Sequence, residues 1–307
     1  ATYRPRALPC VNTDTLEAPM QTALDCIPCF QQQALRAARA AGADDDVVEQ
    51  VLREVVRHIA AANWNATPID LGMPVHRAVR EITGVDDPFA EEKRRSTEQA
   101  LQHYEHLQAE ISAADDPLRM AVAASIAGNL IDLGPHESYD VDATVAGIAE
   151  AEFAIDDLDE LRTGLETAQS LLLFADNAGE IVFDRLLLET IAARWSPRIS
   201  VVVKSGPFIN DATVADARQA GIDGVPSVRL LEITNGDDDT APAYGSDQVT
   251  QWLEEHDVPI AKGQANYEAL SDRQGVFQML VAKCPCIAQS LGVGVGDIVL
   301  RLNRAPR

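Results

Sequence analysis

The pattern of apolar and polar positions changes near the middle of the chain. In the first half, apolar side chains recur at intervals of three and four residues, which is typical of amphipathic helices. One such helix contains Val48, Val51, Leu52, Val55 and Ile59. Beyond about residue 170, short apolar runs alternate with polar loops and helical segments, which is typical of βαβ units. The pattern predicts an α-helical domain (1–165) and an α/β domain (166–307) with three layers and a Rossmann-like, mostly parallel sheet.

Four apolar runs in the second half predict strands, and each run ends in a polar loop that contains glycine. They span 171–175, 199–203, 228–233 and 258–261. The first is followed by Asp176-Asn177-Ala178-Gly179-Glu180, which taken alone is compatible with a simple turn that caps a helix. Because the carboxyl ends of parallel strands meet at one edge of the sheet, four such loops favour a single ligand site.

The balance of charge restricts the partners. The chain has 48 acidic and 25 basic residues, a formal net charge of −23. Such a field repels nucleic acids and anionic membranes, so neither is expected as a partner. The first residues lack the apolar region of a signal peptide, and no apolar stretch approaches the roughly 20 residues of a membrane span, so a cytoplasmic location is expected. Self-repulsion of this size is typical of halophilic proteins, with an acidic mesophilic protein as the alternative.

Lysine is scarce, with only four among the 25 basic residues. An ammonium group is a compact point charge that suits phosphate, so the lysines are candidates for chemistry that Arg cannot supply. Lys204 and Lys262 each end a predicted strand, and we expect both to contact an anionic substrate. Lys93 lies in a charged helical segment (91–95), and Lys283 is the fourth.

These segments together resemble the damage-control phosphatase family, metal-dependent enzymes first catalogued as a domain of unknown function. The matching runs are 26–29, 127–132, 176–180 with 183–184, 204–216 and 262–268. The resemblance covers nearly the whole chain and implies helices packed on a three-layer α/β domain. It also implies a divalent-metal-dependent phosphatase that hydrolyses small phosphate monoesters, such as sugar phosphates or damaged phosphometabolites.

The resemblance also implies the site residues. One divalent cation (Mn²⁺, Mg²⁺, Co²⁺ or Ni²⁺) is expected on Asp176, Asn177 and Asp211, since hard oxygen donors suit such ions. Asp211 is carried over from the family motif at Asn-Asp-Ala-Thr, and Asp216 is the alternative ligand. The predicted catalytic residues are Asp176, Asn177, Asp211 and Lys262. The predicted substrate-binding residues are Lys204, Glu180, Asn129, Gly263 and Asn266.

Several questions stay open at this point. Asn129 is expected either in a loop over the site or as the C-cap of a helix. The attacking group is either a carboxylate or an activated water, and the sequence does not indicate an oligomeric state. Two rival functions are an S-adenosylmethionine-dependent carboxyl methyltransferase, attributed to eukaryotic relatives, and a non-catalytic metal-binding protein. The first needs a glycine-rich loop, whereas 176–180 has one glycine.

Five cysteines complete the candidate chemistry. Cys26 pairs in sequence with Cys29 and Cys284 with Cys286, and Cys10 is left over. Three interpretations are compatible with this pattern: a structural zinc or iron–sulfur site, disulfides, or ordinary packed thiols. The single residue between Cys284 and Cys286 departs from the spacing that is usual in zinc pairs.

Overall fold

A computed structural model of the chain describes residues 20–130, 141–237 and 240–304. The helices within these ranges are α1 (Cys26–Ala40), α2 (Asp45–Ala61), α3 (Pro68–Thr83), α4 (Ala90–Ala113), α5 (Pro117–Leu130), α6 (Val141–Glu150), α7 (Leu158–Thr167), α8 (Glu180–Trp195), α9 (Val214–Gln219), α10 (Asp247–Glu255), α11 (Gly263–Leu270) and α12 (Pro285–Leu291). The strands are β1 (Ile155–Asp156), β2 (Ser170–Phe174), β3 (Arg198–Lys204), β4 (Val228–Ile233), β5 (Val258–Lys262), β6 (Phe277–Val281) and β7 (Ile298–Leu302). Cys10 and the Ile131-Asp132 end of one family motif lie outside the described residues.

The seven strands form one sheet in the order β1-β7-β6-β5-β2-β3-β4. All neighbours are parallel except β6 and β7, which are antiparallel. The predicted α/β class with a mostly parallel sheet is therefore confirmed. The chain runs from β2 outward to β4 and then returns to the other side of β2 as β5. Such a reversal opens a crevice at the carboxyl ends of the two central strands, where α/β proteins bind ligands.

The helices begin and end at residues that satisfy their free backbone groups. The Asp44 carboxylate accepts a hydrogen bond from the Val47 amide at the start of α2. The Thr67 hydroxyl accepts a hydrogen bond from the Asp70 amide at the start of α3, and Pro68 occupies the first helical position. Gly84 ends α3 in the left-handed conformation, with φ of 68°. The periodicity of the first half therefore corresponds to real helices with local stop signals.

Within the described ranges four apolar cores hold the layers together, and the smallest lies between α12 and β6, around Ile287. The largest lies between one face of the sheet and helices α4 to α8, and it includes Ile126 and Val182. A second core covers the other face of the sheet, and a third lies among α1, α2 and α3, around Phe30 and Val55. The division predicted between residues 165 and 166 passes through α7, and β1 joins the sheet from its amino-terminal side. The packing is thus continuous across that position.

None of the helices in the described ranges combines the length and the apolar composition that crossing a bilayer requires.

Candidate active site

A cavity of ≈ 420 Å³ lies at the carboxyl ends of β2, β3 and β5. Four predicted site residues line it: Asp176, Asn177, Asp211 and Asn129. The opposite wall comes from α1 and α3, which contribute apolar side chains such as Phe30 and Ile69. The other predicted residues, Glu180, Lys204, Lys262, Gly263 and Asn266, lie behind this lining. The cavity thus has a polar floor on the sheet and a largely apolar roof from the first helices.

Backbone pairing brings the predicted metal ligands together. The Ala178 amide donates to the Asn210 carbonyl at 2.9 Å, and the Ala212 amide donates to the Asp176 carbonyl at 2.8 Å. Asn177 and Asp211 are therefore opposite each other across a short antiparallel bridge. The loop after β2 is held against the loop after β3, so side chains 34 positions apart in sequence share one wall of the cavity.

Two carboxamides organise the carboxylates. The Nδ2 group of Asn129 donates to Asp176 Oδ2 and to Glu180 Oε2, both at 2.8 Å. The Nδ2 group of Asn177 donates to the same two oxygens, both at 3.0 Å. Asn129 lies in the last turn of α5 and reaches the site from there, so it is neither in a covering loop nor at the C-cap position. Its Oδ1 is buried and has no hydrogen-bond partner within the described part of the chain.

The site concentrates negative charge. Burial, together with the Glu180 and Asp211 carboxylates, raises the pKa of Asp176 well above its usual range. Burial is also the main reason that the pKa of Asp211 is raised to about 6, although Lys204 opposes it. The pKa of Glu268, a half-buried residue of the cavity wall, is raised to about 8 by burial and by the Asp211 charge. A bound cation would relieve this repulsion.

Lys262 does not face the cavity. Its ammonium lies 2.6 Å from Glu180 Oε1, 2.5 Å from Asp184 Oδ1 and 3.1 Å from the Ser125 carbonyl oxygen, and the side chain is fully buried. These contacts use all three donors, so the direct phosphate contact predicted for Lys262 is not formed. Burial alone would lower the pKa of Lys262, but the Asp184 and Glu180 carboxylates raise it above the usual lysine value. Lys262 instead positions Glu180.

Lys204 is also held inside the protein. Its ammonium donates to the Tyr244 hydroxyl at 2.9 Å and lies 3.7 Å from Asp211 Oδ2. The Tyr244 hydroxyl donates to Asn266 Oδ1 at 2.7 Å, and Asn266 Nδ2 donates to the Ala175 carbonyl at 2.9 Å. This chain of hydrogen bonds links the end of β2 to Asp211. Lys204 and Asn266 therefore support the site from behind rather than lining it.

Gly263 follows β5 with φ of 71°, a left-handed conformation that suits glycine. A Cβ atom at this position would lie 1.9 Å from Asp176 Oδ2. The absence of a side chain therefore lets the Asp176 carboxylate pack directly on the backbone of the neighbouring strand end. Gly263 shapes the carboxylate position and does not itself line the cavity.

Among the lining residues that were not predicted from the sequence are two with charges suited to catalysis, Lys283 and Glu268. Lys283 is exposed. Its positive charge acts to lower the pKa of Asp176 and of Glu180, whereas burial, the largest cause at both residues, acts to raise it. It follows β6, which lies beside β5 in the sheet. Two features of the sequence could have identified Lys283: it is one of only four lysines, and it comes directly after an apolar run. Glu268 lies within α11, where no strand end marks it.

Three sequence expectations have different outcomes here. Asn235, in the loop after β4, donates to the Pro207 carbonyl at 3.3 Å and does not line the cavity, so the third of the four polar loops supports the second. Asp216 accepts hydrogen bonds from the Thr213 amide and hydroxyl, as a capping box at the start of α9. It also pairs with the Lys93 ammonium at 2.7 Å and does not line the cavity, so it lies apart from the other predicted ligands. Lys93 is buried, although it lies in a charged helical segment.

The four described cysteines gather at the rim of the cavity, and all are free thiols. Cys26 Sγ and Cys286 Sγ are 4.0 Å apart, which is too far for a disulfide bond. Cys29 accepts a hydrogen bond from the Gln33 side chain, and Cys284 accepts one from the Ile287 amide. Among the residues that the structure describes, no group of three or more His, Cys, Asp or Glu side chains is arranged to hold a metal ion. Packed thiols account for this arrangement.

Comparison with known proteins identifies relatives over most of the chain. A damage-control phosphatase of Archaeoglobus fulgidus is 34% identical over 291 residues, which cover 90% of this chain and 97% of the relative. A damage-control phosphatase of Pyrococcus horikoshii is 31% identical over 291 residues, 93% of this chain and 99% of the relative. The crystal structure of a DUF89 family protein from Pyrococcus horikoshii matches with a TM-score of 0.83 at 30% identity, covering 93% of this chain and 100% of that one.

The family assignment rests on both sequence and fold. The family model described as the damage-control phosphatase ARMT1-like domain matches residues 22–299. This range contains every residue assigned to the site above, and it confirms the resemblance seen in the sequence motifs. With relatives above 30% identity over nine-tenths of its length, the chain belongs to the damage-control phosphatase ARMT1-like family.

Proposed function

We propose that this protein is a divalent-metal-dependent phosphatase that hydrolyses small phosphate monoesters. Family membership supports the phosphatase role. The observation that carries the metal dependence is the buried cluster of Asp176, Glu180 and Asp211, whose mutual repulsion helps to raise the pKa of Asp176. Asp176 and Asp211 line the cavity and Glu180 lies directly behind them, so a cation bound to the first two carboxylates would offset the repulsion among all three.

The donor set fits Mg²⁺, Mn²⁺, Co²⁺ or Ni²⁺. It consists of two carboxylates and a carboxamide, Asp176, Asp211 and Asn177, all with oxygen atoms at the cavity wall. The buried Oδ1 of Asn129 has no hydrogen-bond partner among the residues that the structure describes and lies on a side chain that contacts Asp176, so it is available as a further oxygen donor. When bound, the cation would polarise the phosphoryl oxygens and neutralise part of their charge.

The remaining charges at the cavity are suited to a phosphate ester. Lys283 is the exposed cation among the lining residues, so its ammonium would contact the phosphoryl oxygens from the open side of the cavity. The pKa of Glu268 is raised to about 8, first by burial and then by the Asp211 charge, which favours the protonated form of its carboxyl group. From the cavity wall it can donate that proton to the leaving ester oxygen.

The size of the cavity supports a small substrate. A volume of ≈ 420 Å³ lies within the range of about 300–1,000 Å³ that is usual for small-molecule sites. The phosphate would lie on the polar floor, and the rest of the molecule would contact Phe30, Ile69 and Phe208. Selectivity among sugar phosphates or damaged phosphometabolites would then depend on α1, α3 and the loop after β3.

Phosphate release from a panel of monoesters tests the proposal. The chelator-treated protein is assayed with and without each of the four metal ions, together with Asp176→Asn and the control Asp44→Asn at the exposed N-cap of α2. We expect hydrolysis only with metal, its loss in Asp176→Asn, and its retention in Asp44→Asn, because asparagine also caps helices well. Equal release with and without metal would refute metal dependence, and no release from any ester would refute the phosphatase role on small monoesters.

A further inference from the structure

A second polar cavity of ≈ 370 Å³ lies at the amino ends of β2, β3 and β4. It lies at the opposite end of the strands from the candidate active site, so the length of a strand, about 3.3 Å for each residue, separates the two cavities. Its polar lining is formed by Ser170, Arg198, Ser200, Ser227, Arg229, Glu255 and His256. None of these residues belongs to the site described above.

The sheet register places four of these residues on one face. Ser170 is the register partner of Arg198, and Ser200 is the register partner of Arg229. Arg198 and Ser200 are two positions apart on β3, so their side chains leave the sheet on the same side. Farther along the same face the side chains are apolar and pack into the second core, for example Leu172 and Val202. The face therefore changes from apolar to polar at the amino ends of these strands.

The two arginines have no acidic partners. Within the described ranges, neither Arg198 nor Arg229 forms an ion pair with a carboxylate, although acidic residues outnumber basic ones by 48 to 25 in the chain. Arginines elsewhere, such as Arg119 and Arg185, are paired at 2.5 to 2.8 Å. The single side-chain hydrogen bond of Arg229 runs from Nε to Ser200 Oγ at 2.8 Å, which leaves its terminal nitrogens unused.

A fixed hydrogen-bond chain holds the wall of this cavity. His256 Nδ1 lies 2.6 Å from the Trp252 carbonyl oxygen, which can only accept, so Nδ1 carries the proton. His256 Nε2 therefore accepts from the Ser200 hydroxyl at 2.8 Å, and that hydroxyl accepts from Arg229. Burial, with a contribution from Arg229 and Arg198, lowers the pKa of His256, so the ring is neutral at neutral pH.

The two acidic groups near the cavity have hydrogen-bond partners other than the arginines. Glu255 belongs to the lining, and its Oε1 accepts a hydrogen bond from the Gln251 side chain at 2.6 Å. The Asp257 Oδ2 accepts from the Gln169 and Ser170 amides at 2.8 and 3.0 Å. Ser227, at the rim, has a φ of 60°, a left-handed conformation that is strained for serine and occurs most often at functional positions.

We propose that this cavity binds a tetrahedral oxyanion, specifically a phosphate group, through the guanidinium groups of Arg198 and Arg229. Planar guanidinium forks match the oxygen spacing of phosphate, and two of them on adjacent strands can hold one group from two sides. The Ser227 hydroxyl lies at the rim, where it can donate a third hydrogen bond. The proposal is independent of the phosphatase activity, because no residue is shared between the two sites.

Isothermal titration of the full chain with inorganic phosphate tests this inference. The titration is run in chelator and repeated in Asp176→Asn, so that binding at the candidate active site does not contribute. We expect saturable binding at concentrations up to about 10 mM, weakened about tenfold or more by Arg198→Gln and by Arg229→Gln. Arg229→Lys should retain part of the affinity, since it keeps the charge and loses the fork.

The control is Arg53→Gln, which removes the same charge from an exposed pair with Glu49 on α2 and should change the affinity less than about twofold. Thermal unfolding of each variant verifies that it is folded. No binding to the wild-type chain, or equal weakening by Arg53→Gln, overturns the proposal. Displacement by an equal concentration of chloride also overturns it, whereas competition by sulfate supports a tetrahedral site. Tighter binding of glycerol phosphate than of inorganic phosphate would identify the source as a phosphorylated metabolite, and the reverse would identify free phosphate.

Discussion

The Lys262 ammonium and a carboxylate oxygen of Glu180 lie 2.6 Å apart, and both side chains are fully buried. Asp184 completes this group on the other side of the ammonium. The Glu180 carboxylate is thereby held for the hydrogen bonds that Asn129 and Asn177 donate to its other oxygen. The arrangement assigns Lys262 to the positioning of the site and leaves Lys283 as the cation at its surface.

Replacing Lys262 with Met should destabilise the fold. The change leaves Glu180 and Asp184 buried without their cation, and breaking a buried pair typically costs about 3–5 kcal/mol. Urea unfolding measures the loss. Lys283→Ala is the matched control: its side chain is exposed, so the free energy of unfolding should change by less than about 0.5 kcal/mol.

The same two variants separate positioning from substrate contact. Lys283→Ala should lower kcat/KM for a phosphate ester about tenfold or more, because it removes a charge that faces the phosphoryl group. Steady-state phosphate release measures this effect. A stable Lys262→Met protein, or an unchanged kcat/KM in Lys283→Ala, would contradict the roles given to these lysines.

Replacing Gly263 with Ala should displace Asp176. The new Cβ would lie 1.9 Å from Asp176 Oδ2, in a residue with φ of 71°. Gly275→Ala is the control, because Gly275 has φ of 79° and no atom within 4 Å of its added Cβ. The control should lose about 1–2 kcal/mol from backbone strain alone. Gly263→Ala should lose more than this, together with metal affinity measured by calorimetry; equal losses and intact affinity would argue against the clash.

Acid should weaken the fold through His76. This ring is buried, contacts Gln33 Oε1 at 3.1 Å, and has its pKa lowered to about 3, first by burial and then by the Arg80 charge. The unfolded chain binds a proton near pH 6.5 and the folded chain does not. The contribution to stability is thus complete above pH 6.5 and is lost as the pH falls toward 3, by about 1.4 kcal/mol per pH unit.

Comparison with His76→Gln isolates that contribution, since the carboxylates titrate in both proteins. Between pH 7 and pH 4.5, the wild-type chain should lose about 2–3 kcal/mol more than the variant in urea unfolding. Parallel stability profiles would mean that protonation of His76 is not excluded by the fold.

Salt should stabilise the folded chain. A net charge of −23 repels itself, and the screening length falls from about 10 Å at 0.1 M to about 3 Å at 1 M ionic strength. The melting temperature should therefore rise between about 0.1 M and 3 M KCl, most steeply below about 1 M where screening changes most. Sucrose serves as a control for general solute exclusion. A flat profile would contradict the halophilic interpretation.

Local pattern was sufficient for much of the fold. β2, β3 and β5 are continuous apolar runs closed by polar loops, and each was predicted within a residue or two. β1 has only two residues, too few to show a period. The sequence shows which residues come after a buried strand, and this position identified Asp176, Asn177 and Asp211. Because these strands are neighbours in the sheet, the three residues meet at the cavity wall.

The parts of the site that escaped prediction depend on sheet order and side-chain direction. Lys283 reaches the cavity because β6 lies beside β5, and a sequence does not state which strands are neighbours. Lys262 ends β5 as expected. Its ammonium points inward because it pairs with the carboxylates of Glu180 and Asp184 on the first turns of α8. Position after a strand specifies where a backbone lies and not which way a long side chain points.

The burial of three lysines makes the protein selectively reactive. Lys93, Lys204 and Lys262 are at most 4% exposed, and Lys283 is the fourth and last lysine of the sequence. An amine-directed acylating reagent should therefore modify the side chain of Lys283 ahead of the other three. A fluorophore or crosslinker attached in this way would report on the mouth of the cavity without any engineered cysteine.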